Sequence, residues 1–214
     1  MSIRAAIVDD STAVRLGLPL MVPDIEFIAA YATAEELLLH RPEADVVALD
    51  LKLRGGAAQG VLQGPAAIRQ VTEAGYRVCI YTDERRRFVL AACLRAGALG
   101  IAHKSDSGPT TQAALVAVSR GINTVTQSLV GLAELLERRG GLPTLTERQR
   151  AVLRARARGE HWADIAHRLH ITEGVAREHM AAVNAKFARY LVDATPAELE
   201  HYLGIGPGDL LDEE

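Results

Sequence analysis

Short apolar runs punctuate the first half of the chain at near-regular intervals. Ile3, Ala5, Ala6, Ile7 and Val8 form the first, which stops at Asp9 and Asp10. Comparable runs recur at residues 25–30, 46–49, 78–81 and 99–102, and the segments between them place apolar residues at helical spacing. A brief aliphatic run bounded by polar residues is the mark of a strand covered on both faces. Five of them alternating with helices predict a doubly wound, five-stranded parallel sheet. Residues 54–64, rich in Gly and Gln and without period, read as a long loop after the third strand.

Beyond residue 107 the pattern is helical throughout. One helix starting near 107–111 and ending about Ser119 closes the α/β domain. An apolar helix within 121–141 then ends in Arg138, Arg139, Gly140 and Gly141, with Pro143 close behind, and reads as a helical linker. Thr146 and Gln149 form a capping box for a helix through Ala157, closed by Gly159. A second helix covers 162–169, and Thr172 caps a third that runs to Phe187 or Arg189. Two short helices joined at His170-Ile171-Thr172 have the helix-turn-helix layout. Thr195 followed by Pro196 opens a last helix. The expected division is 1–120, 121–141, 142–190 and 191–214, an α/β domain followed by an all-α one.

Composition supports two ordered domains. In 214 residues, 49% are hydrophobic and only 4% aromatic, so aliphatic packing carries the core and a disordered chain is excluded. No run of about 18 apolar residues and no cleavable leader pattern occurs, so a cytoplasmic protein without membrane segments is expected. Cys79 and Cys93 are too few for a disulfide framework or a zinc site and read as reduced core thiols. The net charge of -3 hides a strong asymmetry: the four segments carry nets of 0, 0, +4 and -7. A basic block in an otherwise neutral or acidic chain is the footprint of a segment that meets phosphate.

Ligands of a doubly wound sheet gather beyond the carboxyl ends of its strands. The polar residues there are Asp9, Asp10, Asp50, Thr82 and Lys104. Three carboxylates suit a hard divalent cation such as magnesium. A carboxylate nucleophile can accept a phosphoryl group when a metal and a nearby cation, here Lys104, neutralise its oxygens and a hydroxyl, here Thr82, donates to them. An enzymatic reading, a metal-dependent phosphatase, lacks a separate nucleophile-and-acid arrangement, and a non-enzymatic protein is expected.

The strings IVDDS, VVALDL, IYTDE and AHKSD, in this order, resemble the receiver domain of two-component response regulators over residues 1–120. The resemblance implies a flavodoxin-like fold, Asp50 as phosphoacceptor, and a sensor histidine kinase as partner. It further implies that Asp9 and Asp10 ligate Mg2+ with Asp50 and the backbone carbonyl of Lys52, and that Thr82 and Lys104 sense the phosphate. Three positions depart from the pattern: Asp83 replaces a small residue, Ile101 an aromatic one, and Arg54-Gly55 with an enlarged loop the usual proline and glycine. The departures leave open a receiver set by a ligand or partner without phosphorylation.

Residues 142–190, LTERQRAVLRARARGEHWADIAHRLHITEGVAREHMAAVNAKF in their central part, are similar to the LuxR/NarL-type helix-turn-helix. That similarity implies a regulator of transcription whose third helix enters the major groove of double-stranded DNA as a homodimer. Arg177 is the candidate for a base or phosphate contact, Trp162 for a phosphate contact or for packing on the final helix, and Arg168, Lys186 and Arg189 for backbone contacts. A signalling adaptor whose helix-turn-helix binds protein is the alternative. The acidic tail 193–214 is a candidate cover for the basic helix.

Overall fold

The structure, a computed structural model, describes residues 2–53, 62–142, 144–195, 198, 201 and 202. Five strands, β1 (Ile3–Val8), β2 (Ile25–Tyr31), β3 (Val46–Leu49), β4 (Val78–Thr82) and β5 (Gly100–His103), form one sheet in the order β2-β1-β3-β4-β5. All four pairings are parallel. The predicted strands are therefore all present, within a residue or so of their expected ends.

Alternation within the strands explains why each needs helices on both sides, since successive side chains face opposite ways. Ala5, Ile7, Ala48 and Cys79 pack with Leu18 of helix α1 (Thr12–Met21) and with Leu115 and Val118 of α5 (Gly108–Ser119). The alternate residues Ala6, Val8, Val47, Leu49 and Ile80 are equally buried. So are Leu37, Ile68, Val71, Leu90 and Leu94 of α2 (Ala34–His40), α3 (Gly64–Glu73) and α4 (Arg87–Arg95). Of the long loop expected at 54–64, residues 54–61 lie outside the described residues, and Gly64 already opens α3.

Helix α5 approaches α1 through a glycine. A Cβ built on Gly108 would lie 2.4 Å from the backbone oxygen of Met21, an atom that cannot swing aside. Gly108→Ala is therefore expected to destabilise the protein by about 1–3 kcal/mol, read as a lowered thermal midpoint of the full chain.

The chain divides into two compact units, Met1–Thr124 and Val125–Glu214. The helix expected within 121–141 is present and falls in the second unit. Helix α6 (Gln127–Arg138) buries Leu129, Leu132, Ala133 and Leu136, and its Glu137 pairs with Arg150 at 2.5 Å and Arg154 at 3.3 Å on α7 (Glu147–Ala157). An apolar stripe of that width is stable only against a partner, and α7 supplies it. Helix α8 (Trp162–Leu169) occupies its predicted span, whereas α9 (Glu173–Asp193) runs four residues past the expected limit of Arg189. Leu191 is buried, which gives the extra turn a reason to form. Past it, Thr195 and Glu198 exchange reciprocal capping hydrogen bonds, as the expected last helix requires. The rest of the acidic tail, and with it the idea that it covers the basic helix, lies almost wholly outside the described residues. No helix among the described residues is long and apolar enough to cross a membrane.

Candidate functional site

Parallel pairing brings the ends of β1, β3, β4 and β5 to one edge, and the polar residues that follow them meet there. Asp9 and Asp50 are buried, 1% and 5% exposed. The ammonium of Lys104 lies 2.7 Å from Asp9 Oδ2 and 2.8 Å from Asp50 Oδ2, so one cation bridges two strand tips. The contact to Asp50 is an aligned hydrogen bond, while that to Asp9 is an ion pair without that alignment. Asp9 is held from its other side. Its Oδ1 accepts from the Ser11 amide at 2.8 Å, and its carbonyl accepts from Arg15 of α1 at 2.6 Å.

Asp9, Asp10 and Asp50 each offer an oxygen, and these atoms lie within 4.8 Å of one another. The all-oxygen chemistry of this cluster fits a hard divalent cation. Burial pushes the Asp50 carboxyl above its ordinary pKa, against the hydrogen bond and charge of Lys104. Burial works against the charge of Lys104 too, but its hydrogen bond to Asp50 and the negative charges of Asp50 and Asp9 outweigh it and hold the ammonium above its usual range. The ammonium is therefore held between the two carboxylates.

Thr82, 1% exposed, accepts the Glu84 amide on its Oγ1 at 3.2 Å, which leaves its hydroxyl proton for another acceptor. The Lys104 amide donates to the Thr82 carbonyl at 3.0 Å and keeps the fourth and fifth strand tips in register. A cleft of about 510 Å³ is lined by Asp10, Asp50, Thr82 and Lys104, and by Lys52, Asp83 and Glu84. Of the departing positions, Asp83 is exposed at this cleft and Ile101 is buried in β5 opposite Ile80.

Glu84 was not among the residues singled out from sequence. Its carboxylate accepts from the Arg86 side chain at 2.8 and 3.1 Å and from the amides of Arg86 and Arg85, and the Lys52 ammonium lies 3.5 Å away. The Arg86 hydrogen bonds lead in lowering its pKa to about 2. Glu84 thus organises the turn that leads from β4 into α4. The available signal was a glutamate directly ahead of Arg85, Arg86 and Arg87. Both cysteines are free and buried, and burial pushes the Cys79 and Cys93 thiols up to about 12.

In the second unit, the capping box of Thr146 and Gln149 starts α7 as expected. His170 turns the chain from α8 to α9 in the left-handed region at φ 53°, and Thr172 caps α9 through the Val175 amide. Val152, Leu153, Ile165, Ala166, Ala176 and Val183 are buried, with Leu169 and Ile171 half-buried at the edge of the seam. Gly174, Val175, Arg177 and Glu178 are exposed on the first turns of α9. The expected basic residues do not all face solvent alike. Arg177 and Arg189 are exposed, Arg168 pairs with Glu160 at 2.7 Å, and Lys186 donates to Thr144 O and Gln149 Oε1. Arg177 also lies beside Trp162, its guanidinium 4.7 Å from the ring centroid.

No protein-family model matches the chain. Relatives do. The chain is 30% identical over 183 residues to a probable transcriptional regulatory protein, SgaR of Hyphomicrobium methylovorum, covering 83% of each chain. It is 30% identical over 198 residues to the response regulator RamR of Streptomyces coelicolor, covering 90% of this chain and 93% of that one. Among solved structures, the RcsB response regulator of Salmonella typhimurium, studied for its conformational dynamism in DNA interaction, shares the fold. It has a TM-score of 0.55 and 20% identity over 95% of this chain and 99% of its own.

Proposed function

Because the chain belongs to the response-regulator family of transcriptional regulators, we propose that it is a cytoplasmic, DNA-binding regulator whose Asp50 takes a phosphoryl group from a sensor histidine kinase and whose second unit reads double-stranded DNA as a homodimer. The observation that carries this reading is the single Lys104 ammonium bridging Asp9 and Asp50 at 2.7 and 2.8 Å, beside Asp10, in a cleft open to a donor.

An oxygen of the Asp50 carboxylate bonds to phosphorus as the donor's own bond to phosphorus breaks and the leaving group departs with its electron pair. Asp9, Asp10, Asp50 and the backbone carbonyl of Lys52 would hold Mg2+, which would supply positive charge to the phosphoryl oxygens. Lys104, already charged and in place, exchanges its carboxylate partner for a phosphoryl oxygen. The Thr82 hydroxyl donates to another. Because Thr82 Oγ1 also holds the Glu84 amide, a shift of Thr82 toward phosphate pulls on the turn that Glu84 and Arg86 organise ahead of α4. Ile101, buried and without a ring to rotate, leaves that turn as the route from the site to the surface.

The helix-turn-helix presents the start of α9, with Arg177 exposed, to a major groove. Arg189 is placed for a backbone contact, while Arg168 and Lys186 must first leave Glu160 and Gln149 to make one. Titration of a palindromic duplex over a series of salt concentrations tests the reading. Affinity is expected to fall steeply with salt, and Arg177→Ala to cost about 1–3 kcal/mol of binding. Binding without salt dependence, or an Arg177→Ala protein with unchanged affinity and sequence preference, would count against it. Asp83 at the cleft favours one second reading, a receiver set by a partner or ligand without phosphoryl transfer, because its charge opposes an incoming phosphoryl group.

A further inference from the structure

Trp162, the one tryptophan of the chain, opens α8 and is half-buried. Two guanidinium groups from different helices share its ring. Arg156 of α7 has its Cζ 4.5 Å from the ring centroid, and Arg177 of α9 has its Cζ 4.7 Å away. The two like charges feel each other, and something that attracts both offsets that repulsion. The negative face of an indole does, and more strongly than that of the other aromatic side chains.

The two arginines are held differently. Arg156 donates to the Glu160 carbonyl at 2.5 Å and to Gln127 Oε1 at 3.2 Å, while the Gln127 amide returns a hydrogen bond to the Arg156 carbonyl. Burial, and then the charge of Arg177, lower its pKa, as expected of a guanidinium fixed close to a second one. Among the described residues, the carboxylate paired with Arg177 is that of its exposed neighbour Glu173, one helical turn back, at 3.1 Å. An exposed pair of that kind contributes little and is readily exchanged for another anion.

We infer that Trp162 is a positioning residue for DNA reading: braced by Arg156, its ring holds the Arg177 guanidinium at the start of α9 in the pose that meets the duplex. The inference rests on the DNA-binding assignment of the second unit and adds to it the device that aims the reading side chain. The chain of contacts runs from Gln127 on α6 through Arg156 on α7 and Trp162 on α8 to Arg177 on α9. A long, flexible side chain loses rotamer freedom when it binds, and a side chain already held pays less of that cost on docking. Two guanidiniums on one ring, with Glu173 the only carboxylate paired to either among the described residues, also leave net positive charge for phosphate or for the acceptors of a guanine edge.

The test uses the full-length protein and a duplex selected by the wild type from a random pool. Trp162→Leu is expected to weaken that duplex roughly three- to tenfold, and Trp162→Phe, which keeps a ring face, to weaken it less. Trp162→Leu and Arg177→Ala combined are expected to lose less than the sum of the single losses, since each removes the same contact. In the free protein, Arg177→Ala should shift the emission of the sole tryptophan to longer wavelength as water reaches the ring. That readout needs neither DNA nor a replaced tryptophan, and it carries the test if Trp162→Leu fails to fold. Additive losses, unchanged affinity in Trp162→Leu, or an unshifted emission would overturn the positioning role while leaving DNA binding intact. A wild-type protein that selects no duplex overturns the DNA-reading assignment itself, and the inference with it.

Discussion

Asp50→Asn is expected to abolish phosphoryl uptake from acetyl phosphate in the presence of Mg2+, followed as the loss of the phosphoryl mass increment on the intact protein. The carboxylate is the nucleophile, and an amide at the same place cannot supply the attacking oxygen. The same variant should show no beryllium fluoride-dependent change in tryptophan emission or dimerisation. The neighbours define how complete the effect must be. Asp9 is turned toward Ser11 and Lys104, and its carboxylate is 1% exposed, so it is a poor substitute acceptor. Uptake that persists in Asp50→Asn would move the acceptor elsewhere. A wild-type protein that takes up no phosphoryl group and ignores beryllium fluoride would instead support the reading that Asp83 motivates, a receiver set without phosphoryl transfer.

Phe187→Ala should be the most destabilising single truncation in the second unit, costing about 3–5 kcal/mol. Phe187 is wholly buried on α9, in a chain with only three phenylalanines, and aliphatic side chains make up most of the surrounding core. A unit of this size has little stability to spare. The midpoint of its thermal transition should fall by more than roughly 10 °C, and duplex binding should disappear at temperatures where the wild type binds. Phosphoryl uptake depends on Asp9, Asp50 and Lys104 of the other unit and should continue. A shift of only a degree or two, or equal loss of both activities, would show that the division into two units does not govern stability.

The α/β unit was legible because its signals are local. Each buried strand announces itself as an apolar run with a polar residue just past its end, and the two-residue period of a strand needs no knowledge of its neighbours. Asp9, Asp10, Asp50, Thr82 and Lys104 could be named together for the same reason: parallel strands put all their carboxyl ends on one edge. Helix ends in the second unit were legible where capping is local, as at Thr146 with Gln149 and at Thr172. Misreadings arose where a helix depends on a distant partner. The apolar stripe of α6 gave no hint that α7 would cover it. The far end of α9 depends on the burial of Leu191, which only the assembled core decides.

Taken alone, the order of residues determined which elements form, which end of the sheet carries the acids, and that a helix-turn-helix follows. Tertiary structure decided which charges meet. It placed Lys104 between Asp9 and Asp50, drew Glu84 into the turn beside Thr82, tied Lys186 inward to Gln149, and set Arg156 and Arg177 on one indole ring. The physical reason is range: strand period, helix period and caps are written within a few consecutive residues, whereas an ion pair or a ring contact joins side chains whose separation along the chain carries no trace of their distance in space.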